Sequence, residues 1–140
     1  MDTKLALIVE DNSLLSNMFA RSLNDIGYAA VIIEDGRKAQ DWLTRAAPHL
    51  LILDMHLPSV SGKEILEGIW DKPRFSATYI VIVTADARMG EMLADKANFF
   101  LNKPVDIEQF QQLADRLKNH NPSTHSKRCV LANYPSKNNS

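Results

Sequence analysis

Short apolar runs alternate along this chain with longer stretches in which apolar residues recur at helical spacing. The runs cover 5 to 9, 29 to 33, 50 to 53, 79 to 83 and 99 to 101, and all are rich in Val, Ile, Leu or Phe. Continuous apolar runs of this length fit strands buried on both faces, which belong to parallel sheets joined by crossover helices. The pattern predicts five strands and five helices in a repeated β–α order.

The intervening stretches carry helical stripes. Leu14, Leu15, Met18, Phe19 and Leu23 form the first, which should stop near Gly27 as a C-cap. Asp35-Gly36 opens the second, with Ala39, Trp42 and Leu43 inward. The third starts near Ser61-Gly62 and should bury Ile65, Leu66 and Ile69 before Pro73. The fourth runs from Asp86 to about Asp95 with Met89, Met92 and Leu93. Asp106 is a good N-cap for the fifth, whose face is Ile107, Phe110, Leu113, Ala114 and Leu117. From Asn119 on, Asn, Ser, Pro, His and Lys dominate without period, which predicts a flexible or loosely docked extension in which only Cys129 to Tyr134 has apolar atoms to offer the body.

Length and composition narrow this further. At 140 residues, 45% hydrophobic and 24% charged, the chain is one ordinary domain with room for a real core. All 17 acidic residues lie in 1 to 118 against 13 Lys and Arg, a net of −4, while 119 to 140 holds Lys127, Arg128 and Lys137 and no acid. Neither part reads as a basic nucleic-acid surface. No apolar run is long enough to cross a bilayer and the N-terminus lacks the features of a signal peptide, so a cytoplasmic protein without membrane insertion is expected. Cys129 is the single cysteine, which excludes an intramolecular disulfide and cysteine-built metal sites. The histidines His49, His56, His120 and His125 are not at paired helical spacing.

The chemistry sits at the carboxyl ends of the runs. Glu10-Asp11 follows the first, Asp54 the third, Thr84 the fourth and Lys103 the fifth. Ligands of open parallel sheets gather outside the carboxyl ends of the strands, so these positions can converge although they are far apart in sequence. They offer metal-binding carboxylates, an aspartyl nucleophile, a hydroxyl and a fixed cation.

Across roughly residues 4 to 118 the chain resembles the receiver domain of two-component response regulators, the CheY-like superfamily. Further positions carry the likeness: Pro58 four places after Asp54, then Gly62 and Glu64, Ala85 after Thr84, and Pro104 after Lys103. The resemblance implies a doubly wound (βα)5 flavodoxin-like sandwich with a five-stranded parallel sheet, a receiver domain over 1–118, and a polar extension over 119–140 with no output domain. It also implies a stand-alone phosphoacceptor with no enzymatic turnover beyond assisting its own phosphorylation and slow autodephosphorylation. Asp54 would accept a phosphoryl group from a phosphohistidine on a sensor histidine kinase or phosphotransfer protein. Mg2+ would be held by Glu10, Asp11, Asp54 and the backbone carbonyl of His56, and a separate effector protein would read the signal. Lys103 and Thr84 would meet the phosphoryl oxygens, Thr84 and Phe100 would form the switch, and the Lys103–Pro104 bond would be cis.

Lys96, Asn98 and Phe99 depart from the residues usual before the fifth strand, and His56 is uncommon at its position. Competing readings are a receiver fold kept as a protein-interaction module without phosphorylation, an aspartyl-nucleophile phosphatase, and a flavodoxin-like cofactor carrier. Such phosphatases need a second acid two places after the nucleophile, where His56 stands. A phosphate-cradling first loop would be repelled by Glu10-Asp11.

Overall fold

The computed structural model describes residues 3–120 and 130–131. Five βα units follow one another: β1 Lys4–Val9, α1 Ser13–Asp25, β2 Tyr28–Ile33, α2 Gly36–Leu43, β3 Leu50–Asp54, α3 Gly62–Ile69, β4 Tyr79–Thr84, α4 Ala87–Met92, β5 Phe99–Asn102 and α5 Ile107–Leu117. A two-residue strand, β6 Val130–Leu131, comes last. All pairs are parallel, in the order β2-β1-β3-β4-β5-β6. The chain steps outward from β1 to β2 and then crosses back to β3, so the direction of winding reverses between β1 and β3. A crevice forms at such a reversal, on the side of the strand carboxyl ends.

The strands feed two apolar clusters by simple alternation. Leu7, Val9, Leu51, Leu53, Ile80, Ile82 and Phe100 face α2, α3 and α4. Ala6, Ile8, Leu50, Ile52, Val81, Val83 and Leu101 face α1 and α5, where Phe19 and Phe110 meet with ring centroids 4.7 Å apart. Every residue of β3 and β4 is buried, which accounts for their apolar character up to Asp54 and Thr84 at their ends.

Helix starts are chemically specified. Asn12, Asp35, Ser61, Asp86 and Asp106 are the N-caps, each accepting a backbone N–H of the first helical turn. Ser61 and Glu64 complete a capping box. Gly27, with φ +103°, ends α1 in the left-handed conformation that suits glycine.

Three expectations change. On α1, Leu14 is 71% and Met18 42% exposed, while Ser16 and Ser22 are buried with Phe19 and Leu23. The apolar stripe expected from spacing is too wide, and the helix presents a narrower face that includes two small serines. The fourth helix ends at Met92, which is 69% exposed, and its last turn continues as a 3-10 turn over Ala94–Lys96. The extension contributes β6, pairing Phe99 with Val130 and Phe100 with Leu131, so the five expected strands gain a sixth at the edge. Residue 129 and residues 132–134 of the apolar stretch lie outside the described residues.

Candidate functional site

The site is assembled at the carboxyl ends of β1, β3, β4 and β5. Glu10 leaves β1 with its backbone N–H still bonded to the Ile33 carbonyl, at 3.1 Å, and Asp54 is the last residue of β3. Both side chains continue the alternation that points Ile8 and Ile52 toward α1 and α5, and both are 1% exposed. Asp11 stands exposed beside them. One carboxylate oxygen from each of Glu10, Asp11 and Asp54 lies within 4.8 Å of the others.

Lys103 follows β5 and reaches the same place. Its Nζ is 3.3 Å from Glu10 Oε1 and 3.5 Å from Asp54 Oδ1. The Lys103–Pro104 bond is cis, as expected, and the Lys103 amide donates to the Thr84 carbonyl at 2.9 Å. Two of the three carboxylates thus share one ammonium. Asn12 N–H donates to Glu10 Oε2 and His56 N–H donates to Asp54 Oδ1, each at 3.1 Å. Glu10 Oε1 is buried and has no hydrogen bond among the described residues; Lys103 lies within ion-pair range of it without hydrogen-bond geometry.

The electrostatics follow from burial. Desolvation pushes the Glu10 carboxyl above the ordinary carboxylate range, and the charge on Asp54 pushes the same way. The Asn12 N–H bond and Lys103 pull it back. An under-bonded buried oxygen, a surplus of negative charge and an all-oxygen donor set together fit a small hard cation such as Mg2+.

Thr84 is completely buried on the other side of the sheet's alternation, in line with Ile80 and Ile82. Its Oγ1 accepts the Asp86 N–H at 3.0 Å. The N-cap of α4 is Asp86, which accepts from Arg88 N–H. Phe100 is buried on this same α4 side, whereas Phe99 packs toward α5. Gly90 explains how the ring fits: a Cβ there would sit 2.4 Å from Phe100 ring carbons. His56 is exposed, at the loop after Asp54.

Two contributors were not singled out from the sequence. Asn12 both caps α1 and supplies an N–H to Glu10; the sequence signal available was an Asn just before a helical stripe. Gly62, read from the sequence as a helix start and as part of a resemblance, also shapes the site, because a Cβ there would lie 2.2 Å from the Asp54 carbonyl oxygen. α3 can therefore start directly against the loop that carries Asp54. The departures before β5 also gain reasons. Asn98 pairs with both backbone groups of Ile80, its Oδ1 accepting at 2.7 Å and its N–H donating at 2.9 Å. Lys96 reaches Glu67 at 3.8 Å and lies 5.8 Å from the Trp70 ring centroid.

Comparison with known proteins agrees with this geometry. The family model of the response regulator receiver domain matches residues 6–115. The chain is 28% identical over 130 residues to the probable methanogenesis regulatory protein FilR2 of Methanothrix harundinacea, covering 85% of this chain and 84% of that one. It is 29% identical over 111 residues to the polar-differentiation response regulator DivK of Brucella ovis, covering 77% and 90%. Among solved structures, a putative response regulator from Chloroflexus aurantiacus superposes with a TM-score of 0.76 at 21% identity, over 85% of this chain and all (100%) of that one. The receiver domain of sensor histidine kinase PA1611 from Pseudomonas aeruginosa, solved with a magnesium ion coordinated in its active-site cleft, superposes with a TM-score of 0.73 at 24% identity, over 85% and 100%. These two structural likenesses establish the fold. With the family model taking in the site residues from Glu10 to Lys103 within its span, the chain belongs to the response regulator receiver domains of two-component signalling.

Proposed function

We propose that Asp54 is a phosphoacceptor, that Mg2+ is required, and that the phosphorylated domain signals by binding a separate protein. The carrying observation is the gathering of the Glu10, Asp11 and Asp54 carboxylates at one strand-end crevice, with Glu10 and Asp54 in ion-pair range of Lys103. In the reaction, an Asp54 oxygen forms a bond to the phosphorus of a phosphohistidine on a sensor histidine kinase or phosphotransfer protein. The P–N bond breaks, its electron pair returns to the donor imidazole, and that ring takes up a proton. Such transfers depend on placement and on neutralising charge over the equatorial oxygens.

Glu10, Asp11, Asp54 and the backbone carbonyl of His56 are the groups that would hold Mg2+, with Glu10 acting mainly through a bound water. When bound, the ion supplies the positive charge without which a carboxylate repels a phosphoryl group. Lys103, already aimed between Glu10 and Asp54, neutralises a phosphoryl oxygen from the other side. Thr84 then turns its hydroxyl from the Asp86 N–H toward the new phosphate. Because Thr84 and Phe100 share the α4 side of the sheet, that turn is coupled to the packing of Phe100 beneath Gly90 and so to the face formed by α4, β5 and α5. Phosphorylation favours one of two packings, and an effector reads the difference. Slow autodephosphorylation resets the domain.

Such a phosphorelay component works in the cytoplasm, where its phosphohistidine donors and Mg2+ are found. Consistent with this, among the described residues no helix is long and apolar enough to cross a membrane.

Incubation with acetyl phosphate and Mg2+ and then measurement of intact mass tests the reading. A gain of one phosphate is expected, absent in Asp54→Ala and in excess chelator. No gain in the parent would leave a receiver fold acting as an interaction module alone. A gain that persists in Asp54→Ala would overturn the assignment of the acceptor.

A further inference from the structure

The edge of the sheet beyond β5 is closed by the chain's own extension. Val130–Leu131 runs parallel to β5, with Val130 in register with Phe99 and Leu131 with Phe100. Parallel neighbours need a crossover between them, and α5 supplies it, so β5, α5 and β6 repeat the β–α–β step that builds the rest of the sheet.

Main-chain groups make this contact. Asn98 N–H donates to the Ile80 carbonyl of β4 at 2.9 Å, so by alternation along the strand the amides of Phe99 and Leu101 point the other way, toward β6. Such a row of groups on an edge is a template for another extended segment. Charge suits the segment that takes it: residues 1 to 118 hold 13 Lys and Arg against 17 acids, whereas 119 to 140 holds Lys127, Arg128 and Lys137 and no acid.

Two observations tie β6 to the state of the phosphorylation site. Leu131 is in register with Phe100, whose ring packs so closely on α4 that a Cβ on Gly90 would lie 2.4 Å from its carbons. A shift of that ring is passed to its neighbours, because a close-packed interior has no free space to absorb it. The pairing also belongs to a defined packing, the one in which Thr84 Oγ1 accepts the Asp86 N–H. A segment that binds one of two packings is weakened by whatever favours the other.

We propose that β6 is a gate on the α4-β5-α5 face: it occupies the β5 edge while Asp54 is unphosphorylated, keeps an effector protein from that edge, and leaves on phosphorylation. The release rests on the reading of Asp54 as the phosphoacceptor; the closed state does not. Two register pairs make a short ladder, which suits a segment that must come off. Strand addition draws its affinity from main-chain bonds and requires no apolar groove.

The test follows amide hydrogen exchange in the isotope-labelled full chain. Without phosphate, Phe99 and Leu101 are expected to exchange at least threefold more slowly in the parent than in Val130→Pro with Leu131→Pro, whose two prolines cannot donate to a ladder. Amides of β1 and β3 should exchange alike in both proteins, which shows that the variant is folded. Acetyl phosphate with Mg2+ should bring the parent's Phe99 and Leu101 toward the variant's rate in proportion to the fraction phosphorylated, while Asp54→Ala keeps the slow exchange. Equal exchange in parent and variant before phosphate is added would overturn the gate, because β6 would then protect nothing. Protection that rises with protein concentration would overturn it too, by assigning the edge to the extension of a second copy. Intact mass on the same samples separates the two readings. Added phosphate with undiminished protection overturns the gate alone, whereas no added phosphate overturns the phosphoacceptor and the release with it.

Discussion

Glu10 is under the greatest electrostatic pressure of any residue in the site. It is buried, faces the Asp54 carboxylate, and has one oxygen without a hydrogen bond among the described residues. Lys103 is the cation that makes this tolerable, and in the proposed mechanism it is also the group that senses added phosphate. Lys103→Ala is therefore expected to keep the fold but lose most of the phosphate-induced change. Thr84→Ala should still be phosphorylated and transmit only weakly, because its hydroxyl is the group that moves. Amide spectra before and after acetyl phosphate check both; shifts equal to the parent's in both variants would show that neither residue couples the site to the α4 face. The residues of this site were readable because each lies within two positions of the end of an apolar run. What was not readable was their division between the two sides of the sheet, with Glu10, Asp54 and Lys103 on one and Thr84 with Phe100 on the other. That division depends on where each strand starts to alternate, and runs buried on both faces conceal it.

At the scale of elements, the sequence was clearest where burial is total. β3 and β4 follow their apolar runs almost residue for residue, and α5 buries Phe110, Leu113, Ala114 and Leu117 as its stripe foretold. It was misleading where a helix is only grazed by the core: Leu14, Met18 and Met92 are apolar yet outward, a placement that spacing cannot distinguish from an inner face. Within α4, Gly90 leaves room for the Phe100 ring, since a Cβ there would lie 2.4 Å from ring carbons. His49, just before β3, ties two elements together. Its Nε2–H donates to the Leu117 carbonyl at the end of α5, at 2.7 Å, with the ring between Tyr28 and Tyr79. Burial holds its pKa below the usual 6.5; the Leu117 bond partly offsets this and nearby Lys4 adds to it. The fold thus favours the neutral ring, so the stability it contributes is complete above the unfolded value of about 6.5. It is lost as pH falls from there through the lowered folded value, because only the unfolded chain takes up a proton in that window. His49→Gln retains an N–H donor without titrating, and its thermal midpoint should fall less than the parent's between pH 7 and mildly acidic conditions. Parallel pH profiles would show that His49 does not govern acid sensitivity.

At the scale of the whole molecule, the question is how much the fold owes to the residues beyond α5. Among the described residues, the members of both apolar clusters lie between Ala6 and Leu117. Against this, β6 adds two register pairs to β5, a contribution the sequence did not reveal because two residues are too few to show a period. The balance is small. A backbone hydrogen bond adds about 1 kcal/mol net, while fixing the backbone of each residue in β6 costs about 1–2 kcal/mol. We therefore expect a chain ending at Lys118 to fold, to accept phosphate from acetyl phosphate at an undiminished level, and to melt within about 4 °C of the full chain, the shift that about 1 kcal/mol produces in a domain of this size. Thermal melts and intact mass on the two proteins decide the matter. A drop greater than about 10 °C would be far beyond what such a ladder supplies, and would mean that the edge of β5 cannot be left open, making the extension a structural part of the receiver domain.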